Sequence, residues 1–267
     1  MTATSSTTRT VTIDSAKQDA SGGFTASGLS KSYGQTVALQ DVDLEIRPGE
    51  QVAFIGPSGS GKTTLLRVLG TQIEPDSGTV EVLGEDPTGL RPSDLRKLRS
   101  RIGFVPQSLG LVPKLRVHHN VLNGRIGQRS LFGVLRSLLL PKGEELDELF
   151  EILGRVGIEE KIYDRTDTLS GGQQQRVAIA RALFQGAQTL LTDEPVSAID
   201  PTRARSALDL MIGLSREDGF TLLVSIHNLE LARDLFPRIV GLKQGRVVFD
   251  AAPEKVTEAE FTELFRL

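Results

Sequence analysis

Residues 56 to 64 read Gly56-Pro57-Ser58-Gly59-Ser60-Gly61-Lys62-Thr63-Thr64. The stretch fits G-x-x-x-x-G-K-[ST], a loop whose backbone amides cradle phosphate groups. Its flanks make the match specific. Ahead of it, Gln51-Val52-Ala53-Phe54-Ile55 is an apolar run that suits a buried strand. Behind it, Leu65, Leu66, Val68 and Leu69 recur at helical spacing, with Gly70 near the expected stop. Glycines let the backbone come close to an anion, so that successive N–H groups point inward as a nest. The helix start adds its dipole and its unpaired N–H groups. Lys62 is then placed to reach the β- and γ-phosphates, and the Thr63 hydroxyl to ligate Mg²⁺. The ordinary alternative, a Gly/Ser-rich turn with a surface lysine, would start the helix on an uncapped and over-flexible loop.

Working outward, 267 residues leave room for one large domain or two small ones. Hydrophobic residues at 39% and charged residues at 24% suit a soluble globular chain. A net charge of −3 gives no general field that would favour nucleic acid. The absence of cysteine excludes disulfides, thiol catalysis and cysteine-bound zinc. Three histidines are too few for a histidine metal cluster. No run approaches the ~20 apolar residues that span a bilayer. The nearest, 131–140, is interrupted by Gly133, Arg136 and Ser137 and reads as an amphipathic helix.

Residues 1–23 are rich in Ser and Thr and lack the apolar core of a signal peptide, so they read as a disordered tail. Order is expected over 24–267. Val42, Leu44 and Ile46 alternate with Asp41, Asp43 and Glu45, the pattern of a half-buried strand. Further strands are expected over 79–83, 102–106 and 220–225, with a hairpin around Lys243-Gln244-Gly245. From about 108 to 168 the pattern turns helical, as an insertion between two parts of a sheet domain. Leu146, Leu149, Phe150 and Leu153 there follow the spacing of a buried helix face. Leu169-Ser170-Gly171-Gly172-Gln173 opens a helix to about Phe184, with Ser170 and Gln173 at capping-box spacing. Leu190 and Leu191 lead to Asp193-Glu194-Pro195, a strand that delivers two carboxylates to its end.

Singly, each residue has an ordinary reading: Ser170 caps a helix, Asp193 and Glu194 end a strand in solvent, and Gln107 and His227 pack in loops. In this order and spacing they resemble the ATPase subunit of ATP-binding cassette (ABC) transporters from Phe24 onward. Leu169-Ser170-Gly171-Gly172-Gln173 is identical to that family's signature. The resemblance implies an α/β P-loop NTPase fold, with a mixed-sheet RecA-like core, an N-terminal antiparallel β subdomain and the inserted α-helical subdomain. It implies ATP and Mg²⁺ as ligands. Gly56, Pro57, Ser58, Gly59, Ser60, Gly61, Lys62, Thr63 and Thr64 would hold phosphates, and Tyr33 would stack on adenine. Thr63, Gln107 and Asp193 would approach Mg²⁺. Glu194 would act as general base, and His227 as the switch histidine at the γ-phosphate. Ser170, Gly171, Gly172 and Gln173 would close over ATP bound to a second copy of the chain. Asp200 falls in Ser197-Ala198-Ile199-Asp200, the match to the D-loop. Thr192 stands where the strand is usually apolar, its hydroxyl expected to bond its own backbone.

One cassette and no membrane span imply separate permease subunits, a peripheral place on the cytoplasmic face of the inner membrane, and indirectly a substrate-binding protein. Finer likeness points to importers of phosphonate, phosphite or related oxyanions, through Val121-Leu122-Asn123-Gly124-Arg125, Gln173-Gln174-Gln175-Arg176, Ser225-Ile226-His227-Asn228 and Gly245-Arg246-Val247-Val248-Phe249-Asp250. Amino-acid importers and lipid- or lipoprotein-moving systems share the core motifs. ABC ATPases of DNA repair or the ribosome need a long coiled coil, cysteine-bound zinc or two cassettes in one chain, which this sequence lacks. The apolar residues Leu109, Leu111, Val112 and Leu115 after Gln107 are expected to line a groove for a short permease helix.

Overall fold

The computed structural model describes residues 23–128, 143–195 and 201–266. The expectations for 1–22, for 131–140 and for 197–200, which include Asp200, lie outside these residues. The P-loop strand is β3 (Gln51–Ile55), buried along its whole length. It is flanked in parallel by β7 (Thr221–Ile226) and β8 (Arg238–Lys243). The sheet continues through β6 (Thr189–Asp193) to β5 (Ile102–Val105) on one side. On the other, β9 (Arg246–Ala251) pairs antiparallel with β8, which makes the sheet mixed in the order β5-β6-β7-β3-β8-β9. A second, antiparallel sheet has the order β2-β1-β4. Its strands are β1 (Phe24–Tyr33), β2 (Thr36–Ile46) and β4 (Ser77–Val82), the last supplied from beyond the P-loop helix α1 (Lys62–Leu69).

A strand covered on both faces divides its side chains between two cores. Val52 and Phe54 join Leu65, Leu66 and Leu69 of α1 and the antiparallel sheet, whereas Ala53 and Ile55 join the helices on the opposite face. The same alternation sends Leu191 and Leu223 to the α1 side and Leu190, Leu222 and Val224 to the other. It therefore puts Asp193 and Ser225, each two residues on, on the α1 side.

Between β5 and β6 the regular elements among the described residues are helices, joined by loops: α3 (Val117–Leu122), α4 (Gly143–Arg155) and α5 (Gly171–Phe184), while α2 (Pro92–Ser100) precedes β5. After β6 come α6 (Pro201–Asp218), α7 (Leu229–Leu235) and the C-terminal α8 (Glu258–Phe265). The expected buried face of α4 holds at Leu149 and Leu153 and is corrected at its edge. Ile152 is buried beside them, but Phe150 is 43% exposed and Leu146 only half-buried. Ile152 and Phe150 both satisfy helical spacing next to Leu149 and Leu153, and packing against α5 selects between them. The loop after Gln107 also differs from expectation. Leu109 and Leu111 pack partly against the main core, which leaves Val112 as its exposed large apolar residue.

Candidate functional site

Parallel strands bring their C-terminal ends to one edge, and in open α/β sheets ligands bind there. At that edge β3 releases Gly56, β5 leads to Gln107, β6 ends at Asp193 and Glu194, and β7 leads to His227. The P-loop needs its glycines for space. A Cβ on Gly56 would stand 2.1 Å from the Leu242 carbonyl oxygen, and one on Gly61, at φ 108°, 2.4 Å from that of Ala38. Ser60 is buried, and its carbonyl accepts from the Gly245 N–H at 3.0 Å, so the β8–β9 hairpin braces the loop. Gly61 caps α1 without a side-chain bond, which leaves the first N–H groups of the helix free for an anion.

Lys62 lies under the loop, 4% exposed, its ammonium donating to the carbonyls of Gly56 at 2.9 Å and Pro57 at 3.1 Å. Burial pushes its pKa below the ordinary lysine value, against the pull of Glu194 and Asp193. The Thr63 hydroxyl donates to Asp193 Oδ1 at 3.0 Å. The pair offers a hydroxyl and a carboxylate oxygen side by side, a donor set that would suit Mg²⁺. Ser225 Oγ donates to the same Oδ1 at 2.8 Å and accepts the Glu194 N–H at 2.8 Å. Glu194 itself has φ 48°, the left-handed region that costs a non-glycine residue about 1 kcal/mol. Its Oε2 accepts from Gln107 Nε2 at 3.2 Å, and its Oε1 is bonded to His227 Nε2.

The structure thus gathers Lys62, Thr63, Gln107, Asp193, Glu194 and His227 at one edge. Gln107 meets Glu194. Tyr33 sits at the tip of the β1–β2 hairpin, 49% exposed, lining a cleft of about 450 Å³ with Val68, Thr71 and Pro75. The signature belongs to a different helix start. Ser170 forms a full capping box with Gln173, is exposed together with Gly171, and nothing stands within 4 Å of a Cβ built on Gly171 or Gly172. Thr192 Oγ1 is buried with no hydrogen-bond partner, contrary to the expectation that it bonds its own backbone.

Three contributors went unread in the sequence. Ser225 is the first, a hydroxyl one position before the end of the apolar strand β7. Asn120 is the second, a polar residue between the His118-His119 pair and Val121-Leu122 of α3. Its side chain bonds both backbone groups of Val112, and donates to Thr166 Oγ1 at 2.8 Å. Arg181 is the third. It donates to the carbonyls of Gly110 at 2.6 Å and Leu109 at 2.8 Å, and so ties the loop after Gln107 to the signature helix.

The sequence profile described as ABC transporter matches residues 39–197, which hold the loop, the signature and both carboxylates. The chain belongs to the ABC transporter family. Its cassette is 46% identical to the phosphonates import ATP-binding protein PhnC of Pseudomonas putida, over 86% of this chain and 85% of that protein. It is 39% identical to a phosphonates import ATP-binding protein of Halalkalibacterium halodurans, over 90% of this chain and 98% of that one. Among solved structures, a dimeric bacterial ABC transporter cassette superposes with a TM-score of 0.75 at 34% identity, covering 86% of this chain and 98% of that one. A dimeric cassette in a post-hydrolysis state bound to ADP and Pi matches with a TM-score of 0.74 at 34% identity over the same shares. The ABC cassette binds ATP, and its hydrolysis is coupled to transport. Among the described residues no helix is long and apolar enough to cross a membrane.

Proposed function

We propose that this cassette is the ATP-hydrolysing subunit of an importer for phosphonate, phosphite or a related phosphorus oxyanion. It would work as a pair beneath separate permease subunits, on the cytoplasmic face of the inner membrane, with a substrate-binding protein delivering the cargo. The observation that supports hydrolysis best is the placing of Glu194 between Gln107 and His227, beside the Thr63–Asp193 pair. The substrate class rests on the likeness to PhnC proteins.

In this reading the amides of 56–64 and the Lys62 ammonium hold the phosphate chain. A phosphate oxygen replaces the Gly56 and Pro57 carbonyls as the partner of Lys62. Thr63 and Asp193, with Gln107 nearby, hold Mg²⁺, which when bound neutralises charge on the transferring phosphate. Glu194 takes the proton of the attacking water. Gln107 and His227 fix the direction of its carboxylate, and His227 reaches the γ-phosphate. Tyr33 stacks on adenine. The exposed Ser170-Gly171-Gly172-Gln173 helix start meets the nucleotide on the partner copy, with Asp200 close to the pair's contact. ATP then joins the two copies, and its hydrolysis releases them.

Deleting the gene should abolish growth on phosphonate or phosphite as sole phosphorus source and leave growth on phosphate intact. Unchanged growth on every such source, in a host with no second system, rejects the substrate class. The permease contact is tested with a single cysteine at Val112, which is exposed. Cross-links to a membrane subunit are expected, and cross-links to soluble proteins alone reject the contact.

A further inference from the structure

We propose that Ser225 is a positioning residue of the hydrolytic site, one buried hydroxyl holding both the Asp193 carboxylate and the backbone of Glu194. This rests on the reading of Asp193 and Glu194 given above. Ser225 is fully buried and lies directly opposite Asp193 in the parallel β6–β7 pairing. Cross-strand partners in a parallel pair send their side chains to the same face, so the hydroxyl and the carboxylate meet without either leaving its strand. The hydroxyl uses its two capacities at once: it donates to Asp193 Oδ1 at 2.8 Å and accepts the Glu194 N–H at 2.8 Å.

Each bond acts on a different part of the reaction. Asp193 Oδ1 also accepts from Thr63, so two hydroxyls fix that oxygen and thereby the rotation of the carboxylate. The Glu194 N–H stands one residue past the end of β6, where the ladder no longer supplies it with a carbonyl. Ser225 captures it as the backbone turns to φ 48°, and that turn sets the direction in which Glu194 extends toward Gln107 and His227. Without the hydroxyl, Glu194 is free to relax to an extended conformation that carries its carboxylate away from the attacking water.

The test compares Ser225→Ala, Ser225→Cys and Ser225→Thr in the full chain. Alanine removes the hydroxyl. Cysteine keeps the shape but offers only a weak donor and acceptor, and serves where alanine fails to fold. Threonine keeps the hydroxyl at a strand position that suits a β-branched residue. Ser225→Ala and Ser225→Cys should lower kcat about 10- to 100-fold, the cost of a misplaced reacting group. ATP affinity without Mg²⁺ should stay unchanged, because the P-loop is untouched. By calorimetry, the gain in ATP affinity on adding Mg²⁺ should shrink in both. Ser225→Thr should restore both readouts. In a Glu194→Gln background, Ser225→Ala should cost less than it does in the parent, because only the part carried through Asp193 remains to be lost. A folded Ser225→Ala or Ser225→Cys with parental kcat overturns the proposal. So does equal loss in Ser225→Thr, which marks a packing role. If Glu194→Gln itself hydrolyses at the parental rate, the base assignment falls instead, and the Mg²⁺ readout still judges the contact with Asp193.

Discussion

At the scale of single residues, the site combines strain with polar satisfaction. Glu194 sits in a left-handed conformation and is held there by Ser225, Gln107 and His227. Glu194→Gln keeps the shape and the capacity to hydrogen-bond but cannot take a proton. It should lower the rate about 10²- to 10⁴-fold, with ATP affinity retained, in a steady-state assay beside equilibrium binding. Lys62→Ala should instead lose ATP binding, because it removes the cation of the loop. Thr189 and Thr192 carry a different kind of cost. Both side chains are buried, and neither hydroxyl has a partner. An unmade buried bond costs about 1–3 kcal/mol, and valine has the same shape without the hydroxyl. Thr189→Val and Thr192→Val should each raise stability by about 1 kcal/mol in urea unfolding. A loss of stability in both would mean that the hydroxyls are satisfied in solution.

At the scale of elements, two helix starts are built in opposite ways. α1 opens on Gly61, whose φ and nearness to Ala38 leave no room for a side chain. α5 opens on Ser170, which closes a capping box. Aspartate caps a helix as well as serine does, yet it brings a negative charge to where a partner's phosphate would arrive. Ser170→Asp should therefore keep the parental melting temperature and lose ATP-driven pairing; if pairing survives, the signature does not meet the nucleotide. α3 carries a pH term. Burial holds the His118 pKa below the ordinary 6.5, opposed by the Ile162 carbonyl that Nδ1 contacts at 2.9 Å and reinforced by His119 and Arg116. The unfolded chain then binds a proton more readily than the folded one. Stability is full above pH 6.5 and falls as the pH drops from 6.5 toward the depressed value. His118→Asn should flatten this part of the pH–melting curve. An unchanged slope would place the titration elsewhere.

At the scale of the whole molecule, the six residues gathered at the sheet edge lack one component, since the signature helix start faces outward. Two copies placed head to tail would each supply it to the other. Under this reading Glu194→Gln should run as a dimer in gel filtration with Mg²⁺ and ATP, and Lys62→Ala as a monomer. Removal of a carboxylate charge beside the γ-phosphate adds to the pairing in a water-poor interface. Glu194→Gln that stays monomeric at every ATP concentration would reject the assembly.

What the sequence by itself determined is what local physics writes into short stretches. The P-loop needs glycine at Gly56 and Gly61, the capping box needs Ser170 and Gln173, and the apolar runs of β3, β6 and β7 can hardly be anything but buried strands. These features depend on neighbours within a few positions, and they carried the fold and the family. The tertiary structure alone decided that α4 buries Ile152 and exposes Phe150 beside the expected Leu149 and Leu153, because both satisfy the same period and only packing against α5 separates them. It decided that Thr192 would have no partner. It also decided which groups Ser225, Asn120 and Arg181 hold. Each bonds to a group that the chain brings near only by pairing a strand or folding back a loop: Ser225 is 32 positions from Asp193, Asn120 is 46 from Thr166 and Arg181 is 71 from Gly110. Strand register and helix docking are cooperative outcomes of burying two cores at once, and no local pattern encodes which hydroxyl will stand opposite which carboxylate.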